Sequence, residues 1–385
     1  MSPAAPRIAL LGAFHFPVPQ GSQVFVAEQA RALVQQGARV TLVSYGGRTQ
    51  IVEPFAIEQT PAWSAPGSHR SGPQLRKPLS DTLLLRTLLA AHGRAPFDAV
   101  LAHNAEAAVV ALGARRKLGV PVLYVAHTLF GEELQVYGPA RFEGFARSLG
   151  RRLDRSIARR ADGVIALSER ARAELTRWSR APVALIPPGL HPTPPPSRED
   201  VEKVCTARGL ARDAYALYTG NLDAYQDLGD LVDAAARMPE QPVVVATHGP
   251  LARLPGVRVL AHCTATEMRA LTAGARITLC PRRTCAGFPI KLLNYMEAGR
   301  AILAREGVGG TLTHERDAWL LPETSGATAF AEALATLHRD ADLRHRLGAA
   351  ARATLSRSHA WPALAKDTLS VVEAVVDSVE PARLW

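Results

Sequence analysis

Short apolar runs alternate with amphipathic stretches along most of this chain. RIALLGAF (7–14) has the pattern of a buried strand, FPVPQGSQ (16–23) follows as a Pro/Gly loop, and a 3.6-residue apolar period runs over 24–36 until Gly37 stops it. ARVTLVSY (38–45) then returns as a strand. Strand, crossover helix and strand make a βαβ unit, which requires a parallel sheet. Apolar runs at 99–103, 120–127 and 163–168 extend that sheet, whereas 59–80, rich in Pro, Gly, Ser and Arg, reads as a mobile loop. A second alternation has strands at 215–220, 242–247, 257–262, 275–280 and 301–304, with helices at 227–237, 266–273 and 289–299 and a helical tail over 328–376.

The proline-rich string IPPGLHPTPPPS (186–197) favours extended geometry over a packed core and separates the two alternations. The pattern predicts a first domain at 1–190, a linker at 191–200, a second domain at 201–360, and a C-terminal helix at 361–385 able to cross back to the first. Both domains read as doubly wound α/β sheets.

A length of 385 residues suits two such domains. No apolar run reaches the ~18 residues of a membrane span. The first residues enter a strand pattern without a basic, then long apolar, leader, so a cytoplasmic location is expected. Cys205, Cys263, Cys280 and Cys285 form no CxxC pair or zinc spacing and read as reduced thiols.

Charge is asymmetric: residues 1–190 hold 23 Lys and Arg against 13 Asp and Glu, while the rest hold 22 against 22. The net excess of ten therefore lies in the first half, which implies an anionic partner. Nucleic acid is disfavoured because no zinc-finger, basic-zipper or aromatic RNP signature accompanies the charge, leaving an anionic membrane surface, with peripheral attachment to the inner face. Within 141–160, Phe142, Phe145, Leu149, Leu153 and Ile157 recur at spacings of three and four. Arg147, Arg151, Arg152, Arg155 and Arg159 lie between them, so the segment reads as a basic amphipathic helix whose apolar stripe packs on its own sheet, meets a membrane, or does both.

The strings LYTGNLDAYQDLGDLVDAA (217–235), ITLCPRRTCAGFPIKLLNYMEAGRAILA (277–304) and THERDAWLLP (313–322) occur together. The first half adds a PxxxG loop after its first strand and ADGVIALSERARAEL (161–175) before IPPGL. In order and spacing the chain resembles retaining glycosyltransferases of the family-4 type, of the GT-B fold superfamily. That resemblance implies two Rossmann-like domains facing across a cleft, a nucleotide-sugar donor as substrate with no other cofactor, and a lipid-linked or glycan acceptor. A divalent metal is not expected, since no Asp-x-Asp cluster stands in a loop at the cleft.

A diphosphate leaving group needs cations or N–H groups in a dry cleft. The loop at 285–289, with Gly287, Phe288 and Pro289, runs into a helix whose N-terminus supplies N–H groups; Lys291 adds a charge, and Gly287 lets the backbone approach a ligand. Lys is scarce in this chain, five against 40 Arg, which makes Lys291 stand out. The resemblance further places Gly21 and Ser22 near the diphosphate, His127 beside the transferred sugar, Arg282 as a second phosphate cation and Asn294 at the ribose. The chain departs from the family's pattern at four positions. Ala286 and Asn294 replace two glutamates eight residues apart, and Asn221 and Gln226 replace an Arg and a Lys. His103 is read as a strand-end residue or a ligand contact, and Glu132 and Glu133 as acceptor contacts or an exposed helix start. The departures keep two other readings open, a non-catalytic nucleotide-sugar-binding protein and a sugar-nucleotide epimerase. No GxGxxG follows the first strand of either half, which disfavours a dehydrogenase.

Overall fold

The computed structural model describes residues 5–18, 21–46, 52–64, 77–134, 143–191, 193–223, 226–283 and 287–379. The chain divides into two compact units: Met1–Gly189 with Ala286–Phe288 and Trp361–Trp385, and Leu190–Cys285 with Pro289–Ala360.

The first unit runs β1 (Arg7–His15), α1 (Gly21–Gln35), β2 (Arg39–Tyr45), β3 (Ala56–Gln59), α2 (Lys77–Arg94), β4 (Ala99–His103), α3 (Asn104–Leu118), β5 (Val122–Ala126), α4 (Phe130–Leu134), α5 (Glu143–Arg160), β6 (Gly163–Ala166), α6 (Glu169–Thr176) and β7 (Val183–Leu185). Its seven strands are parallel in the order β3-β2-β1-β4-β5-β6-β7. Helices cover both faces, so β4 and β5 are wholly buried and, apart from His103 at the end of β4, hydrophobic. Small side chains on α3, among them Ala107, Ala108 and Ala111, let that helix pack closely on the sheet.

The second unit runs α7 (Arg198–Ala207), β8 (Ala216–Thr219), α8 (Gly229–Arg237), β9 (Val243–Ala246), β10 (Arg258–Leu260), α9 (Ala265–Gly274), β11 (Ile277–Leu279), α10 (Lys291–Ala298), β12 (Ala301–Arg305), β13 (Trp319–Leu321), α11 (Ala327–Arg339) and α12 (Ala341–Ser358). Its six parallel strands follow the order β10-β9-β8-β11-β12-β13. The last helix, α13 (Trp361–Val379), counts with the first unit.

Strand order reverses between β1 and β4 in one sheet and between β8 and β11 in the other. In open parallel sheets the crevice past the strands' C-terminal ends at such a reversal is where ligands bind.

Three local expectations change. Helix α1 starts at Gly21 rather than 24, so Gly21 and Ser22 stand in its first turn and not in a loop. Helix α7 begins inside the expected linker because the Ser197 hydroxyl accepts the Asp200 N–H at 3.0 Å, an N-cap that ends the proline segment. Helix α2 begins at Lys77 and β3 covers Ala56–Gln59, so the segment expected as loop at 59–80 is shorter; residues 65–76 lie outside the described residues.

Candidate functional site

In the first unit, β4 ends on His103, His127 directly follows β5, and His103 pairs in register with Val125. The two rings meet through His103 Nδ1 and His127 Nε2, 2.9 Å apart. His103 is wholly buried and His127 is 9% exposed. Burial holds His103 well below the usual histidine range, helped by His127 beside it, and burial pushes His127 down to about 3. Both rings are therefore neutral near pH 7. Phe25 stands edge-on to both, at centroid separations of 6.0 Å from His103 and 4.8 Å from His127. Trp361 of α13 also packs on Phe25, with ring centroids 5.6 Å apart. Phe25 lies one turn beyond Gly21, so the start of α1, which carries no acidic residue in its first turn, is held beside the histidine pair.

Gly287 belongs to the first unit. A Cβ there would fall 2.2 Å from the carbonyl oxygen of His127. The absence of a side chain here lets the loop lie against the backbone of His127. Phe288 beside it is buried. Ala286 lies outside the described residues.

Helix α4 follows His127 and carries Glu132 and Glu133 in its first turn, both partly buried. Its free N–H groups are satisfied by α5: Asp154 Oδ1 accepts from Phe130 N at 3.0 Å and Oδ2 from Gly131 N at 2.9 Å. Burial pushes the Asp154 carboxyl up to about 6, against the pull of those two N–H groups. The helices cross through glycines, and a Cβ on Gly150 would lie 2.5 Å from Gly131 Cα.

Helix α5 turns Gly150, Asp154, Ile157 and Ala158 inward. Its other side exposes Arg147, Arg151, Arg152, Arg155 and Arg159. Phe145 and Leu149 are 72% and 51% exposed, so only the later part of the expected apolar stripe packs on the protein. Arg151 lies 3.5 Å from Glu174 and over the Trp178 ring. Phe142 falls outside the described residues.

In the second unit, the loop after β8 and the start of α10 form one hydrogen-bonded relay. Lys291 Nζ donates to Gln226 Oε1 at 3.1 Å, Gln226 Nε2 to Asn221 Oδ1 at 2.7 Å, and Asn221 Nδ2 to Asp223 Oδ2 at 2.6 Å. The ammonium also sits 3.9 Å from the centroid of Tyr218. Gly220, with φ of 139°, makes room for it: a Cβ would lie 2.9 Å from Lys291 Nζ. Asn294, one turn along α10, is partly exposed.

Other residues hold this relay in place, and sequence reasoning missed them. Tyr295, buried on α10, accepts the Thr219 N–H at 2.8 Å and donates to Leu279 O at 3.3 Å, joining the helix to the ends of β8 and β11. Past β11, Arg282 is partly buried. Its neighbour Arg283 donates its backbone N–H to Asp227 at 2.8 Å and its guanidinium to Asp230 at 3.1 Å. Arg305 is wholly buried, donates to Asp230 Oδ2 at 2.5 Å, and also donates to the carbonyl of Pro281. One carboxylate between two guanidiniums thereby fixes the 281–283 loop. The visible signal was an arginine closing the otherwise apolar strand AILAR.

Among the described residues no group of three or more His, Cys, Asp or Glu is placed to hold a metal ion, and no helix is long and apolar enough to cross a membrane.

Residues 19–194 match the family model described as Glycosyltransferase Family 4, and residues 213–340 the model described as Glycosyl transferases group 1. No curated protein matches the chain. Among solved structures it is similar to sucrose-phosphate synthase from Thermosynechococcus elongatus, with a TM-score of 0.80 and 17% identity over 97% of this chain and 100% of that one. It is similar to Anabaena Alr3699/HepE in complex with UDP and glucose, with a TM-score of 0.71 and 16% identity over 96% and 100% of the two chains. It is also similar to WaaG, a glycosyltransferase involved in lipopolysaccharide biosynthesis, with a TM-score of 0.67 and 17% identity over 95% and 99%. At such identities these likenesses speak for the fold.

Proposed function

Because the chain is a glycosyltransferase of the GT-B fold, we propose that it transfers a hexosyl group, with retention, from a nucleotide-sugar to a lipid-linked or glycan acceptor at an anionic membrane surface. The observation that carries this reading is the Lys291–Gln226–Asn221 relay at the reversal between β8 and β11. It supports a diphosphate site in which Lys291 supplies charge, Arg282 past β11 the second cation, and the α10 N-terminus its N–H groups. Asn221 and Gln226, which replace the basic residues of the resemblance, serve here as the lysine's neutral anchors. Pro289 leads into the helix, and Asn294, a turn further along, meets the ribose. Gly21 and Ser22, in the first turn of α1 beside the histidine pair, approach the reacting sugar, and His127 contacts it. Retention rests on the family-4 resemblance.

The membrane reading is supported by Phe145 and Leu149 standing exposed among the arginines of α5. That the structural neighbour WaaG is described as acting in lipopolysaccharide biosynthesis is consistent with an envelope acceptor.

A panel of nucleotide-sugars, screened first by thermal stabilisation and then for transfer, tests the proposal. The expected result is release of free nucleoside diphosphate, with an NMR-observed product anomer matching the donor. His127→Ala should lower turnover far more than donor affinity. Binding without turnover would favour a non-catalytic protein, and a rearranged sugar-nucleotide an epimerase.

A further inference from the structure

The contact between His103 and His127 defines more than proximity. Both rings are neutral, so the 2.9 Å bond between His103 Nδ1 and His127 Nε2 consists of one N–H and one lone pair. Two arrangements satisfy it. If His127 Nε2–H donates, the single proton of His103 must sit on Nε2, an atom sealed from solvent with no hydrogen-bond partner. If His103 Nδ1–H donates, what lies sealed at His103 Nε2 is only a lone pair. A buried N–H without an acceptor is the rarer and costlier defect, so the second arrangement prevails. It leaves the proton of His127 on Nδ1, and no atom of His127 is among the sealed polar atoms lacking a partner. His103 has little freedom to do otherwise. Its strand is paired to β1 and β5, and Asn104, with φ of 72°, turns the chain directly after it.

We infer that His103 is a positioning residue that fixes His127 in the Nδ1–H tautomer, so that His127 meets the donor sugar as a hydrogen-bond donor and not as a proton acceptor. The second half of this statement rests on the proposed placement of His127 beside the sugar; the tautomer itself does not. In this arrangement no proton enters or leaves the ring during transfer. His127 donates from Nδ1 to a sugar oxygen while its Nε2 stays occupied by His103.

Long-range ¹H–¹⁵N correlation on ¹⁵N-labelled protein at neutral pH reads the tautomer directly. The expected spectrum has His127 Nδ1 protonated and Nε2 bare; a protonated His127 Nε2 overturns the inference whatever the activity. This measurement on the parent protein stands even where a variant does not fold. His103→Leu removes the donor, and His127 should revert to the Nε2–H form that an unconstrained imidazole prefers. Turnover should fall about three- to tenfold, the worth of one neutral hydrogen bond, with donor KM within about twofold. His103→Asn places an amide N–H where Nδ1 stood and should recover most of that loss. Unchanged turnover in His103→Leu with the tautomer switched would show that the tautomer has no part in the reaction, and would sink the inference. If the parent shows Nδ1–H while His127→Ala turns over normally, the sugar contact is overturned and the tautomer assignment stands.

Discussion

Acidification from pH 7 to pH 5 should weaken the first unit through His127 by an amount that can be worked out. In the fold its pKa is about 3, because burial disfavours the cation; in the unfolded chain it returns to about 6.5. Between those values the unfolded chain holds a proton that the folded chain refuses. The stability His127 contributes is therefore present above 6.5 and lost as pH falls towards 3. Integrating that proton difference from pH 7 to pH 5 gives a loss of about 2 kcal/mol. His103, also lowered by burial, adds to the loss in the same direction. Asp154 opposes it. Its folded pKa of about 6 lies above its unfolded value, so its contribution is complete below the unfolded pKa and disappears as pH rises through 6. The same acidification thus returns about 1 kcal/mol through Asp154. Because the terms partly cancel, the test is a comparison. Urea unfolding at pH 7 and pH 5 should show the parent losing about 2 kcal/mol more than His127→Gln, whose side chain does not titrate. Equal losses in the two proteins would mean that His127 is not held neutral by burial, and the tautomer argument built on neutral rings would fall with it.

Other consequences can be checked separately. Asp230→Ala deprives the wholly buried Arg305 of its carboxylate and should cost about 3–5 kcal/mol in urea unfolding; a cost below about 1 kcal/mol would refute this account of the 281–283 loop. Lys291→Ala should weaken nucleoside diphosphate binding roughly ten- to a hundredfold in calorimetry while leaving the bare nucleoside unaffected, and parent-like diphosphate affinity would move the phosphate site elsewhere. Combined Phe145→Ser, Arg152→Ser and Arg155→Ser should reduce co-sedimentation with anionic vesicles, and salt should do the same to the parent, since exposed charges are screened over about 8–10 Å. Binding indifferent to both would exclude α5 as the contact.

The two parallel sheets were legible because their central strands are buried on both faces and read as unbroken hydrophobic runs, as in VLYVA and VVVA. Ser197 and the acidic residues after it announced α7, but the prolines before them dominated the reading. Helix α1 began three residues early because a Gly-Ser start looks like loop when no apolar period has yet begun. In the candidate site, Lys291 stood out by its rarity and its place at a helix start. The relay through Gln226 and Asn221 did not, because it depends on where a loop after β8 meets a helix 65 positions further on. Asp230 and Arg305 pair across 75 positions, and no local pattern encodes such a distance. His103 and His127 were each visible as strand-end histidines; that they share a proton required knowing that β4 and β5 are neighbours.

Helix α5 divides the residues open to change from those that are not. A methyl at Gly150 would collide with Gly131, and an apolar replacement of Asp154 strips the N–H groups of Phe130 and Gly131, three and four positions past His127, of their acceptor. Positions 145, 147, 149, 152 and 155 face outward. A lineage, or a designed library, can therefore retune which surface the protein prefers by drifting along that outer face while the segment next to His127 keeps its geometry. Variation admitted on the inner face would reshape that segment instead. Randomising only the outer five positions and selecting for attachment to vesicles of altered headgroup charge would exploit this separation.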